Sequence, residues 1–169
     1  MQILIAGFES QKIVSRDEVI QALLKLPELH LRGIKVVRYD PYRVIATSMT
    51  WLMDEPMAPG TRGSYYQTDN FSAIVVWKFN SKSEFYHILY HEVGHYVFMQ
   101  TLQQKPRDEW MYDIRKKEPQ TVSQYAKKNS REDFAETYAA FVTQQPSLNA
   151  CPMRRAFLAT KVFKSDVSP

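Results

Sequence analysis

The clustering of hydrophobic positions predicts strands in the first half of the chain. Residues 2–8 and 33–39 have the length and the apolar content of single strands. The segment 71–79, FSAIVVWKF, is the strongest strand candidate because it is dense in branched and aromatic residues. Before it, 42–53 has no clear pattern, and 54–70 is predicted to be a long loop or a loose hairpin because it contains prolines and glycines.

Helical periodicity begins between the first two strands and returns after the third. A capping box formed by Ser15 and Glu18 starts an amphipathic helix that Pro27 helps to end. The segment 84–103 repeats apolar residues at helical spacing, and we expect Pro106 to end this helix.

Further helical segments fill the C-terminal half. Residues 107–128 predict short helices broken at Pro119, and 130–144 predict a longer helix. The segment 153–164 predicts a last helix with Pro152 in its first turn. The order of strand, helix, strand, strand and then several helices predicts an α+β fold.

Length and composition predict one folded domain over residues 1–169. Of the 169 residues, 44% are hydrophobic and 24% are charged, as in ordinary globular proteins. No apolar run approaches the roughly 20 residues that span a bilayer, so we expect no membrane span. The opening MQILIAGF lacks a basic start and a cleavage site. We therefore expect no signal peptide, and a protein that is cytoplasmic or is a mature or non-classically exported chain.

The charge and the cysteine content argue against two classes of site. The net charge of +4 is spread along the chain and forms no sharp basic stripe, so we do not expect a nucleic-acid partner. Cys151 is the only cysteine, which excludes an internal disulfide and a multi-cysteine zinc finger. We expect its thiol to be buried rather than nucleophilic.

One motif within 84–103 predicts metal chemistry: His91-Glu92-Val93-Gly94-His95, an H-E-x-x-H. Residues four apart lie on one face of a helix, so His91 and His95 can bind one metal ion. Zinc accepts nitrogen and oxygen ligands, keeps a position open in catalytic sites and lowers the pKa of bound water to about 7. Glu92 can reach that water. The alternative is an accidental pentapeptide whose two histidines are hydrogen-bonded core residues.

A catalytic zinc of this kind needs a third protein ligand, and no histidine follows His95. His87 lies one turn before His91, but the outer two of three successive i+4 positions are about 12 Å apart along the helix axis. We therefore expect His87 to lie at the helix start or in the pocket, and the third ligand to be a carboxylate.

A pair of glutamates downstream supplies that carboxylate. Glu132 and Glu136 are four residues apart on the predicted 130–144 helix, so one can bind the metal and the other can accept a hydrogen bond from a ligand histidine. Their face carries alanines, and Gly94 removes a side chain where the two helices would approach. The alternative is a capped helix whose acidic residues complement its dipole.

These motifs together resemble the zincin proteases with a glutamate third ligand, a group that includes the anthrax lethal factor catalytic domain and the Pro-Pro endopeptidases. HEVGH is similar to the H-E-x-G-H of that group, and the segment EDFAE at 132–136 is similar to its E-x-F-A-E helix. Tyr125 lies seven residues before Glu132, where the group has a tyrosine. The resemblance covers residues 84–144.

The resemblance implies a zincin-like fold, in which a small mixed sheet packs on the active-site helix and the C-terminal half is helical. It implies a zinc-dependent endopeptidase that hydrolyses a protein or peptide substrate. The implied roles are Zn²⁺ ligands for His91, His95 and Glu132, general base for Glu92, oxyanion donor for Tyr125, and support of the ligands for Glu136.

Two other functions remain open at this point. A looser resemblance to the ImmA/IrrE-type regulators implies a metalloprotein that acts on a repressor or another partner protein. A basic nucleic-acid-binding domain with a degenerate metal motif is the third possibility. For a peptidase, the substrate backbone could pair with an edge strand near Trp77, together with Val75 and Phe79. The alternative for these three residues is a plain core strand.

Overall fold

Four short strands form one mixed sheet in the computed structural model, which describes residues 2–44, 61–68 and 71–163. The strands are β1 (Leu4–Ala6), β2 (Val36–Tyr39), β3 (Gly63–Thr68) and β4 (Phe71–Val76), and their order across the sheet is β1-β2-β4-β3. β2 pairs in parallel with both β1 and β4, whereas β3 and β4 form an antiparallel hairpin.

The first two strands are joined by the predicted helix, α1 (Arg16–Leu24). The Ser15 hydroxyl accepts a hydrogen bond from the Glu18 amide at 3.2 Å, and the Glu18 carboxylate accepts one from the Ser15 amide at 2.8 Å. This is the capping box that the sequence predicts. The Lys82 ammonium, with the Ser15 amide, lowers the pKa of Glu18 to about 2. Short 3₁₀ turns lie at Phe8–Ser10 and Glu28–His30.

The motif-bearing helix, α2 (Lys82–Tyr96), continues into a π-helical turn at Val97–Thr101. The Ser81 hydroxyl caps its start by accepting from the Glu84 amide at 3.1 Å. Phe85 of α2 packs against Phe8 and Phe79, with ring centroids 5.5 and 5.1 Å apart, and is fully buried. The small sheet and the motif helix therefore share one aromatic core.

The remaining helices follow α2 along the chain. They are α3 (Gln104–Asp108), α4 (Arg115–Lys117), α5 (Ser130–Val142) and α6 (Pro152–Phe157). π-Helical turns lie at Glu109–Ile114 and Leu158–Val162, and 3₁₀ turns at Tyr125–Lys127 and Pro146–Ala150. Trp110, Phe134 and Phe157 form the aromatic core of this part, with ring centroids 5.1 and 5.2 Å from Trp110.

Of three expectations about element positions, one needs correction. Pro106 does not end the motif helix: it lies in the first turn of α3, where its missing N–H is not needed. Of the two alternatives for 54–70, the hairpin holds at residues 63–68, which form its first strand. Helix α5 begins at Ser130 as predicted, and the Asn129 side chain caps it by accepting from the amides of Arg131 and Glu132.

The expected edge strand near Trp77 is wrong as well. β4 lies between β2 and β3, so Val75 belongs to a central strand and is fully buried. Trp77 and Phe79 follow the strand and are also buried, and the Trp77 indole donates to the Thr61 carbonyl at 2.8 Å. The plain core alternative holds for these residues.

The structure is α+β, with a small mixed sheet and a helical C-terminal half. Contacts within the chain divide it into two compact units, Met1–Val93 and Gly94–Pro169, and the boundary falls inside α2. Within the described ranges, no helix combines the length and the hydropathy that crossing a membrane requires. The predicted features of 45–60 lie outside the described residues.

Candidate metal centre

Helix α2 carries both histidines of the motif one turn apart on its last turns. Their neighbours Leu89 and Val93 are fully buried and fix the rotation of the helix. His91 is buried, and the side chain of His95 is 19% exposed.

Helix α5 brings the predicted carboxylate to His95. The Asn129 side chain caps this helix by accepting from the Glu132 amide at 2.9 Å, so Glu132 lies in the first turn. The Glu132 carboxylate oxygen Oε2 lies 3.3 Å from His95 Nε2. A carboxylate and an imidazole nitrogen at this distance are placed as two ligands of one ion would be.

His91 completes a three-residue group of ligand atoms. One ligand atom from each of His91, His95 and Glu132 lies within 4.8 Å of the other two. The donor set is two imidazole nitrogens and one carboxylate oxygen, which fits zinc in catalytic sites. The residues present therefore fit a bound zinc ion.

A second group meets the same distance condition: His87, His91 and Glu136. The rings of His87 and His91 lie 6.3 Å apart by their centroids. Neither group contains all three histidines, as the helical rise predicts. Glu136 is buried and belongs to this second group, one helical turn after Glu132.

Gly94 allows α2 and α5 to approach closely. A Cβ atom at Gly94 would lie 2.9 Å from the Ala135 Cα and 3.1 Å from the Tyr138 Cβ. The first contact is sterically forbidden and involves backbone, and the second is tighter than an ordinary van der Waals contact. The predicted close approach of the glycine to the alanine face of α5 is therefore present.

The carboxyl group of Glu92 is buried and lies beside the start of β3. A Cβ atom at Gly63 would lie 3.2 Å from Glu92 Oε1 and 2.6 Å from Ile88 Cγ2. Gly63 thus leaves the space that the Glu92 carboxylate occupies. The hydrophobic pattern did not predict this neighbour.

Tyr125 lies next to the predicted carboxylate ligand. Its hydroxyl donates to Glu132 Oε1 at 3.4 Å, and its side chain is 43% exposed. The Lys128 ammonium lies 5.3 Å from the centre of the Tyr125 ring and 3.9 Å from Glu132 Oε1. No motif in the sequence predicted Lys128 as a neighbour of Tyr125 and Glu132.

Ser123 connects the segment of Tyr125 to α5. Its hydroxyl donates to Glu136 Oε2 at 2.6 Å and accepts from the Ala126 amide at 3.1 Å. Ser123 and Tyr125 therefore contact two glutamates one turn apart on the same helix. No sequence signal marked Ser123, because a serine in a polar segment is common.

Cys151 has the buried environment that the sequence predicts, and Tyr112 lies on the surface. Cys151 is fully buried, and burial raises the pKa of its thiol, as expected of a structural cysteine. Tyr112 is an exposed side chain in the Glu109–Ile114 turn.

Comparison with known proteins adds little at the level of sequence. No family model matches the chain, and no curated protein matches it. Among solved structures, that of a "putative zinc-binding metallo-peptidase" from Bacteroides caccae is similar with a TM-score of 0.44 and 9% sequence identity. The similarity covers 95% of this chain and 72% of that chain. A likeness this distant transfers no activity.

Proposed function

We propose that the chain is a zinc-dependent endopeptidase of the lethal factor-like type, with His91, His95 and Glu132 as its zinc ligands. The observation that carries the proposal is the group of three ligand atoms within 4.8 Å of one another. Two of these residues come from the H-E-x-x-H motif and the third from a helix 37 residues later. A core histidine pair would need hydrogen-bond partners, but it would not need a glutamate delivered by a separate capped helix.

The remaining roles follow from the chemistry of each side chain. Bound zinc would polarise the scissile carbonyl and lower the pKa of water at the site to about 7. Glu92 accepts a proton from the attacking water and passes it to the leaving amine. The Tyr125 hydroxyl, a donor beside Glu132, stabilises the oxyanion. Glu136, which Ser123 holds in place, supports the ligand histidines.

The edge of the sheet offers a place for the substrate backbone. Among the described strands, β3 pairs with β4 alone, and its first residue, Gly63, lies against Glu92. An extended peptide that adds to β3 would run past the general base. We therefore assign substrate pairing to β3 instead of the strand near Trp77.

The test is hydrolysis of a mixed peptide library by purified protein, followed by mass spectrometry of new termini. We expect cleavage that a zinc chelator abolishes and added zinc restores. Glu92→Gln should keep zinc and melting temperature but lower the rate about 100-fold or more, because an amide cannot accept the proton. Glu28→Gln, at an exposed carboxylate outside the site, is the matched control and should cleave normally.

Two results would contradict the proposal. One is a Glu92→Gln variant that retains more than about a tenth of the wild-type rate, given the usual size of general-base effects. The other is a zinc-loaded wild-type protein that cleaves nothing in the library, which would favour a regulatory metalloprotein over a peptidase.

A further inference from the structure

Arg154 is a fully buried cation in the second unit, held by two carboxylates. Its Nε donates to Asp133 Oδ1 at 3.0 Å and its Nη2 to Asp133 Oδ2 at 2.8 Å, which is a bidentate ion pair. The exposed fraction of Arg154 is 1%, and Asp133 is not exposed at all.

The other side of the guanidinium contacts Glu118. Arg154 Nη1 donates to the Glu118 carbonyl at 2.6 Å and to its carboxylate at 3.1 Å. The same carboxylate accepts from the backbone amides of Met153 and Arg154, at 2.9 and 3.1 Å, and so caps the start of α6. Arg154 therefore joins three segments: the end of α4, the first turn of α5 and the first turn of α6.

Asp133 is the residue directly after the proposed ligand Glu132. Arg115 reinforces the same turn, with its Nε 3.4 Å from Asp133 Oδ2 and its Nη1 donating to the Ser130 hydroxyl at 3.0 Å. The first turn of α5 is thus fixed by contacts of Asp133 and Ser130, which flank the proposed ligand Glu132. A buried ion pair is a poor device for stability alone, because a well-packed apolar set is often at least as stable. What a bidentate pair supplies in addition is a defined position and orientation.

We propose that Arg154 is a positioning residue for the metal centre, which acts through Asp133 to hold Glu132 at the distance from His95 that zinc binding needs. The inference rests on the proposed function, since it takes Glu132 as a zinc ligand. Residues that orient metal ligands without touching the metal change metal affinity by about 10–100-fold when they are replaced.

The test is zinc affinity of the metal-free protein, measured by competition with a chromophoric chelator well below the melting temperature. Arg154→Lys keeps the charge but loses the bidentate geometry, and we expect it to weaken zinc binding about tenfold or more. Phe157→Leu is the matched control, because Phe157 is buried on the same helix and packs on Trp110 but touches no carboxylate of the network. It should lower the melting temperature without changing zinc affinity.

Asp133→Asn provides a second variant if Arg154→Lys does not fold. Because Arg154 acts through Asp133, the two substitutions together should weaken zinc binding no more than the stronger of them alone. Zinc affinity that is unchanged in both variants, or that falls no further than in Phe157→Leu, would overturn the positioning role while leaving the zinc site intact. Wild-type protein that binds no zinc in the same assay would overturn the proposed function and the inference with it.

Discussion

At the scale of single residues, the Tyr125 hydroxyl is the group that most separates a peptidase site from a zinc site of another kind. It lies beside Glu132, and its ring is too exposed to be an ordinary core tyrosine. Its hydrogen bond to Glu132 Oε1 is long, at 3.4 Å, so losing this hydrogen bond should cost less than about 1 kcal/mol of stability. An effect of Tyr125 on turnover would therefore reflect chemistry rather than folding.

We predict that Tyr125→Phe lowers kcat about 100-fold or more, while zinc content, melting temperature and KM change little, because the hydroxyl is needed only for the oxyanion. Steady-state kinetics on a cleaved peptide, paired with a melting curve, measure this. Tyr112→Phe is the control, since that tyrosine is also exposed and lies outside the site. Unchanged kcat in a stable Tyr125→Phe protein would count against the lethal factor-like assignment and favour an ImmA/IrrE-like one.

At the scale of elements, the contact between α2 and α5 at Gly94 lies next to His95 of the proposed metal centre. Alanine is favoured over glycine in a helix by about 1 kcal/mol, so on propensity alone Gly94→Ala would stabilise α2. The added Cβ, however, meets the Ala135 Cα at 2.9 Å, and backbone yields less easily than a side chain. Overpacking of this kind costs about 1–3 kcal/mol, which outweighs the gain.

We predict that Gly94→Ala lowers both the melting temperature and the zinc affinity, and that Gly94→Ser lowers both further because it adds one more atom to the same contact. Thermal melts and chelator competition on the three proteins give the order Gly, Ala, Ser. A Gly94→Ala protein that is more stable than wild type and binds zinc equally well would show that the helices can separate without cost to the site.

The elements that the sequence predicted well are those with local signals. The capping box of Ser15 and Glu18, the period of α2 and the proline at the start of α6 depend on residues within a turn of each other. For 54–70 the prolines and glycines left a loop and a loose hairpin open, although the tyrosines and threonine of β3 favour the strand. The continuous apolar run of β4 was itself a sign of a central strand, since edge strands usually alternate.

The same distinction holds for the candidate site. The i, i+4 pairs of α2 and α5 could be predicted because helical spacing alone defines them. Ser123 with Glu136 and Arg154 with Asp133 are separated by 13 and 21 residues and carry no motif. Their pairing depends on how the segments fold back on one another. The hydrophobic periodicity of the sequence carries no information about these contacts.

At the scale of the whole molecule, the folding of residues 1–169 as one domain remains a prediction. The effect of zinc on thermal unfolding can test it. A ligand that binds the native state more tightly than the unfolded chain raises the melting temperature in proportion to the logarithm of its concentration. If the chain folds as one domain, zinc should shift a single cooperative transition rather than one of two.

The most direct test of the central claim is the zinc content of the purified protein and its variants by elemental analysis. We predict about one zinc per chain in the wild type and in His87→Ala, and near-complete loss in His95→Ala and Glu132→Ala, because only the latter two remove proposed ligands. His87→Ala also separates the two candidate groups, since His87 belongs to the one that lacks His95 and Glu132. Equal zinc in wild type and His95→Ala, or loss of zinc in His87→Ala alone, would contradict the assignment of His91, His95 and Glu132 as the metal centre.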